Sequence, residues 1–181
     1  MSSISIRQAT PVDAETLTDL AYTTFRDAFA EHPKNAPDDL AQYMREAFNV
    51  ERIGAELADP ASIFLIAEIE DKPAGYAKLI IDTTEDGITA ERPIELSRLY
   101  SHQEFLGRGV GQGLMDRCFE IARSRGHDVM WLGVWEYNPR ARRFYERNGF
   151  RQVGRHVFQL GSDPQIDLLM QKDLSPQRHR E

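Results

Sequence analysis

Apolar and polar positions along this chain alternate between the two-residue period of strands and the longer period of helices. Residues 4–9 alternate apolar and polar, the mark of a strand with one buried face. Thr10-Pro11-Val12-Asp13 then reads as a helix start, with Thr as N-cap, Pro at the first helical position and an acid in the first turn. Leu17, Leu20, Ala21, Thr24 and Phe25 share one face of a helix running to Phe29. A break at His32-Pro33-Lys34-Asn35 separates it from helices expected at 37–48 and 50–58. Residues 62–70 and 76–82 are rich in β-branched and aromatic types. With a turn expected at 71–75 they make a hairpin. A polar loop, 83–92, leads to a strand at 93–101, a glycine-rich loop, and a helix at 110–125. A strand at 129–135, a helix at 139–148 closed by Gly149, and a strand pair at 150–160 and 166–172 complete the chain.

The order β-α-α-α-β-β-β-α-β-α-β-β predicts an α/β fold. The strand–helix–strand passage from 93 to 135 requires a parallel pair with a right-handed crossover, whereas the hairpins require antiparallel neighbours. The expected architecture is a mixed sheet with helices on both faces. With 181 residues and no repeat or linker, residues 1–174 are expected to form one domain, followed by a frayed polar tail at 175–181.

Composition narrows the function. Apolar residues are 41% and charged residues 28%, values of a water-soluble globular protein, and no apolar run is long enough to span a bilayer. The start lacks a basic region followed by an apolar stretch, and one cysteine, Cys118, can form no internal disulfide. The expected compartment is therefore the cytoplasm. The net charge of −7 argues against a nucleic-acid partner. Charge is uneven: residues 1–100 carry nine Lys and Arg against 19 Asp and Glu, while 101–181 carry 13 against 10. No His/Cys/Asp cluster has metal-ligand spacing, so no metal is implied.

The most informative stretch is Phe105-Leu106-Gly107-Arg108-Gly109-Val110-Gly111-Gln112-Gly113-Leu114. Glycines at alternate positions let a main chain approach a ligand and turn its N–H groups inward. A helix start adds unsatisfied N–H groups and the positive end of a dipole, so the loop suits a phosphate, with Arg108 as a further donor. A tight turn that binds nothing is the alternative. The Gly-Lys-Ser/Thr ending of ATP-binding loops is missing, and the glycine offsets do not fit the dinucleotide fingerprint. A second motif follows the 129–135 strand: Asn138-Pro139-Arg140-Ala141-Arg142-Arg143-Phe144-Tyr145, then Gly149-Phe150. Asn138 is a helix N-cap. Ala141 and Tyr145 lie one turn apart on one face, a small residue beside a phenol. Tyr145 is either an acid offered to a ligand or an interfacial core aromatic with a wet hydroxyl.

These motifs resemble the GNAT acyl-CoA-dependent N-acetyltransferases. Their signature Gln/Arg-x-x-Gly-x-Gly/Ala matches at Gly109 and Gly111, with Leu106 standing where Gln or Arg is usual. The second stretch is similar to the family's Asn-x-x-Ala-x-x-Phe-Tyr pattern. The resemblance implies the family's twisted, mostly antiparallel sheet with a central parallel pair, and acetyl-CoA as co-substrate. Residues 106–113, namely Leu106, Gly107, Arg108, Gly109, Val110, Gly111, Gln112 and Gly113, would hold the pyrophosphate. The strand backbone at Leu99, Tyr100 and Ser101 would pair with the pantetheine arm, Asn138 and Ala141 would contact the cofactor, and Tyr145 would reprotonate the leaving thiolate. Homodimers are common in the family, which implies that state by analogy.

Acetyl transfer to an amine needs a base, because an alkylammonium titrates near ~10.4. Glu95 resembles the general base of the histone-acetylating branch, and Glu136 is the other carboxylate near the expected cleft. Glu95 is expected on one strand face with Ser97, Leu99 and Ser101. His32 and His102 are loop histidines of lesser candidacy. Cys118, on the apolar face of its helix, reads as an inert core thiol, which favours direct transfer over an acetyl-enzyme. Residues 131–138, 158–170, 24–29 and 38–43 resemble the PaiA-type branch, linked to spermidine and spermine acetylation. The acids Asp38, Asp39, Glu46, Glu85, Asp86 and Glu91 would attract such a polycation. The expected acceptor is a polyamine or other small amine. A protein N-terminus or lysine, or acetyl-CoA binding without turnover, are the alternatives.

Overall fold

The computed structural model describes residues 2–175, so of the expected polar tail all but Ser175 lie outside it. β1 (Ile4–Gln8) is followed by a 3-10 turn at Pro11–Asp13, where the Asp13 carboxylate accepts from the Thr10 amide at 2.8 Å and from both Arg7 guanidinium nitrogens at 2.9 Å. Three helices come next, α1 (Ala14–Phe29), α2 (Pro37–Ala47) and α3 (Val50–Ala58). The strands β2 (Ser62–Ile69), β3 (Lys72–Ile81) and β4 (Pro93–Ser101) lead to α4 (Val110–Ser124). β5 (Val129–Trp135), α5 (Pro139–Arg147), β6 (Arg151–Leu160) and β7 (Asp163–Asp173) complete the order.

The strands form one seven-stranded sheet in the order β1-β2-β3-β4-β5-β7-β6, antiparallel except for β4 and β5. Two cores flank it. On one face α4 buries Val110, Leu114, Met115, Cys118 and Ala122 against Leu79, Ile94 and Met130. On the other, α1, α2 and α3 bury Leu17, Leu40, Met44 and Ile53 against Phe64, Ile66 and Tyr76. The expected mixed sheet with helices on both faces is therefore the observed one.

Two local details differ from expectation. The β2–β3 turn is Glu70-Asp71, both at positive φ (52° and 60°), which is the main-chain form that matches strand twist in a two-residue hairpin. Pro73 and Gly75, read as turn residues, lie inside β3, where the Gly75 position has no room for a side chain. A Cβ there would come within 2.7 Å of both the Tyr100 carbonyl and Val110 Cγ1. The second difference is a β-bulge. Lys78 pairs with Arg98 but Leu79 with Leu96, so Ser97 is an extra residue in β4. The bulge inverts the facing of what precedes it. Glu95, expected beside Leu99 and Ser101, instead shares the α1 face with Arg98 and Tyr100.

Among the described residues, no helix is long and apolar enough to cross a membrane, and no group of three or more His, Cys, Asp or Glu side chains is placed to hold a metal ion.

Candidate active site

The parallel pairing of β4 with β5 ends early. Only Pro93, Ile94 and Glu95 face Val129, Met130 and Trp131, after which the strands diverge. From Leu96 to Ser101 the β5-facing main chain of β4 has no strand partner, while its other edge remains paired to β3. A cleft of about 880 Å³ runs through this opening, from the glycine loop at one end to α1, α2 and β6 at the other.

At the glycine end, Gly107 and Gly109 adopt φ of 77° and 82°, a form that costs a side-chain-bearing residue about 1–2 kcal/mol. The turn aims the start of α4 into the cleft. Among the described residues, the amides of Gly107, Gly109, Val110, Gly111 and Gln112 donate to no protein acceptor, so five N–H groups and a helix dipole are available to an anion. A Cβ at Gly111 would stand 3.6 Å from Ser101 Oγ and 3.8 Å from Phe144 Cζ, in the narrow gap between α4 and α5. The residues present thus fit a diphosphate. Two of the expected contacts lie elsewhere. Gly113 faces β1, where a Cβ would come within 3.2 Å of Ile6 Cδ1, so its smallness serves packing. Arg108 is exposed, outside the cleft lining, with its guanidinium 5.6 Å from the Phe105 ring centre. Leu106 lines the cleft and is 44% exposed, presenting an apolar side chain at its mouth. The Gln112 side chain bonds Asn148 and Asp116, both at 2.8 Å, fastening α4 to α5 and leaving only its amide for the loop.

Leu99, Tyr100, Ser101, Asn138, Ala141 and Tyr145 all line the cleft. Asn138 Oδ1 caps α5 by accepting from the Ala141 amide at 3.1 Å. Tyr145 packs between Phe144 and Phe150, with ring centres 5.5 and 5.9 Å away, and its hydroxyl has no partner among the described residues. Burial holds its phenol well above the ordinary value, so the hydroxyl stays protonated.

The opposite end combines aromatic walls with carboxylates. Phe29, Tyr43, Trp135 and Phe158 line it, together with Asp27, Glu95 and Asp167. Burial raises the Glu95 carboxyl above the usual range, against the pull of Lys78 and His156. The Asp167 carboxyl is likewise raised by burial and drawn back by His156. Beneath this floor Glu56 joins Lys78 and Arg98, each at 2.9 Å. Glu136, the other carboxylate considered, is exposed and lies beside Lys34 and Tyr137 in a separate recess. His32 and His102 serve their own turns, each accepting on Nδ1 from an amide two residues on, at 3.2 Å. Cys118 is fully buried in the α4 core, its thiol pushed up to about 12 by burial.

Sequence reasoning missed His156 and Asp167. They meet only through the β6–β7 register, and their signal was the Gly161-Ser162 turn, which makes the two residues direct cross-strand partners.

The acetyltransferase (GNAT) family model matches residues 17–150. An uncharacterized N-acetyltransferase from the pepI 3′ region of Lactobacillus delbrueckii subsp. lactis is 33% identical over 174 residues, 96% of this chain and 99% of that one. The fold is similar to that of the PaiA N-acetyltransferase of Thermoplasma acidophilum, solved with coenzyme A, with a TM-score of 0.75 and 24% identity over 94% of this chain and 99% of that chain. It is also similar to yncA of Salmonella typhimurium, solved with its cofactor acetyl-CoA, with a TM-score of 0.64 and 21% identity over 99% of each chain. A seven-stranded sheet split between β4 and β5, a glycine-rich entry to α4 and a family match over most of the length converge on one assignment: this chain belongs to the GNAT family and is an N-acetyltransferase.

Proposed function

We propose that the protein transfers an acetyl group from acetyl-CoA directly to a primary amine, a polyamine or other small amine. The observation that carries this reading is the continuity of one cleft. Five unpaired amides at the α4 end lead along the unpaired β4 main chain to a carboxylate-bearing, aromatic-walled end. A diphosphate suits the first part. An extended amide-containing arm suits the second, by the main-chain pairing used when a strand is added to a sheet. An ammonium group suits the third, through carboxylates and ring faces.

Acetyl-CoA supplies an acyl group already activated as a thioester. Glu95 takes the proton that frees the amine nitrogen for attack, a role helped by the raised proton affinity that burial gives it. A β4 amide near Tyr100 polarises the acyl carbonyl. Tyr145, neutral and open to the cleft, gives a proton to the departing sulfur. Cys118 takes no part, since it is buried in the core on α4's apolar face, which favours direct transfer.

Release of free thiol from acetyl-CoA tests the reading, with spermidine, spermine, monoamines, and peptides offering a free N-terminus or a lysine. Turnover with polyamines or small amines is expected. Turnover confined to peptides would move the assignment to a protein acceptor. Tight coenzyme A binding without release from any acceptor would make the chain a non-catalytic binder.

A further inference from the structure

Acetylation of an ammonium releases one proton to solvent in each turnover. The amine nitrogen loses a first proton before attack, the C–N bond forms as the C–S bond breaks, and the second nitrogen proton replaces the one that Tyr145 gives to the sulfur. The first proton, held by Glu95, must leave before the next cycle. Glu95 is half-buried in an aromatic-walled cleft that the bound substrates would fill.

A second titratable group lines the same cleft. His156 lines the same cleft from β6, with Nε2 3.7 Å from Asp167 Oδ2 and Nδ1 3.5 Å from Glu85 Oε1. Its side chain is 27% exposed, and that of Glu85, on the β3–β4 loop, is 42% exposed. Asp167, His156 and Glu85, with side chains 15%, 27% and 42% exposed, thus form a graded series from the cleft that Glu95 also lines to the surface. The β5 main chain makes room for it. Gly133 lies against this group, where a Cβ would stand 3.1 Å from Asp167 Oδ2 and 3.2 Å from His156 Nε2. The other charged groups acting on this corner are Lys78 on β3 and Arg98 on β4, both tied to Glu56.

We propose that His156, held between Asp167 and Glu85, is the outlet through which the proton taken up by Glu95 passes to solvent. His156 acts through Glu95 and touches neither acetyl donor nor acceptor nitrogen. The inference rests on the amine-acetylation reading above.

The test measures thiol release with the best acceptor for wild type, His156→Gln and Glu85→Gln, with coenzyme A affinity by calorimetry. In His156→Gln, kcat is expected to fall about tenfold or more, with the acceptor KM and the coenzyme A Kd unchanged. In His156→Ala, which leaves the ring's space empty, added imidazole should restore most of kcat. Glu85→Gln, on an exposed loop, should lower kcat less and in the same sense. Wild-type turnover with unchanged kcat in both variants would overturn the outlet alone. A rise in KM without loss of kcat, or a loss that imidazole leaves untouched, would also overturn it by assigning His156 to binding or to folding. Absence of thiol release from the wild type with every acceptor would overturn the functional reading, and the outlet with it.

Discussion

Replacing Tyr145 by Phe removes one oxygen atom and nothing else. The ring contacts with Phe144 and Phe150 remain, and among the described residues the hydroxyl has no hydrogen-bond partner to leave stranded. The expected change in folding stability is therefore within about 0.5 kcal/mol, or roughly 1–2 °C in Tm for a chain of this size. The effect on turnover should be far larger. Loss of a positioned proton donor typically costs 10²–10⁴-fold. A thiol with a parent pKa near ~8.5 is already a fair leaving group, which places this case at the low end, roughly hundredfold. That is about 2.7 kcal/mol of lost barrier lowering. The deficit should also depend on pH. Burial keeps the wild-type phenol protonated across the working range, so the Phe variant should fall furthest behind near pH 7 and recover once the thiolate is stable in water. Thiol release between pH 6.5 and 9.5 reads the kinetic effect, with thermal unfolding and coenzyme A calorimetry as controls. An unaltered kcat at pH 7, or a deficit constant to pH 9.5, would refute Tyr145 as the donor.

The ion cluster under the cleft predicts an acid-sensitive fold. Glu56, Lys78 and Arg98 have side chains only 12%, 8% and 14% exposed, so Glu56→Ala strands two buried cations and should cost about 3–5 kcal/mol, lowering Tm by roughly 6–20 °C. Burial by itself would raise the Glu56 carboxyl, but Arg98 and Lys78 outweigh it and hold it below the ordinary range. Its stabilisation is therefore present above that range and lost as pH falls through the lowered value. Unfolding free energies followed downward from pH 6 should decline less steeply in Glu56→Ala, and equal slopes would contradict the linkage. Cys118, buried and with its thiol at about 12, should resist iodoacetamide in the native protein at pH 8 and react fully once unfolded, as mass spectrometry would read.

Where local chemistry decides structure, the sequence was a good guide. Alternation points to the strands, N-caps with Pro at the first helical position mark the helical starts at Pro11 and Pro139, and the glycine loop is found at the cleft where it lies. The errors share a cause, which is that main-chain pairing between distant segments leaves no local mark. Pro73 and Gly75 looked like turn residues, yet Glu70 and Asp71 make the turn, because a tight hairpin rewards the twist of two positive-φ residues. Strict alternation put Glu95 on the wrong face, because a bulge at Ser97 can be seen only against β3. His156 and Asp167 were legible in principle from the Gly161-Ser162 turn, but counting back from it requires knowing that β7 begins at Asp163 rather than Ile166.

The parting of β4 from β5 also bears on solubility. An exposed strand edge invites pairing with another molecule and so risks aggregation. Here the open main chain lies in the middle of the sheet, flanked by β5 and by the starts of α4 and α5, where the edge of another folded protein has no straight approach. The protein thereby presents little of this free main chain to its neighbours.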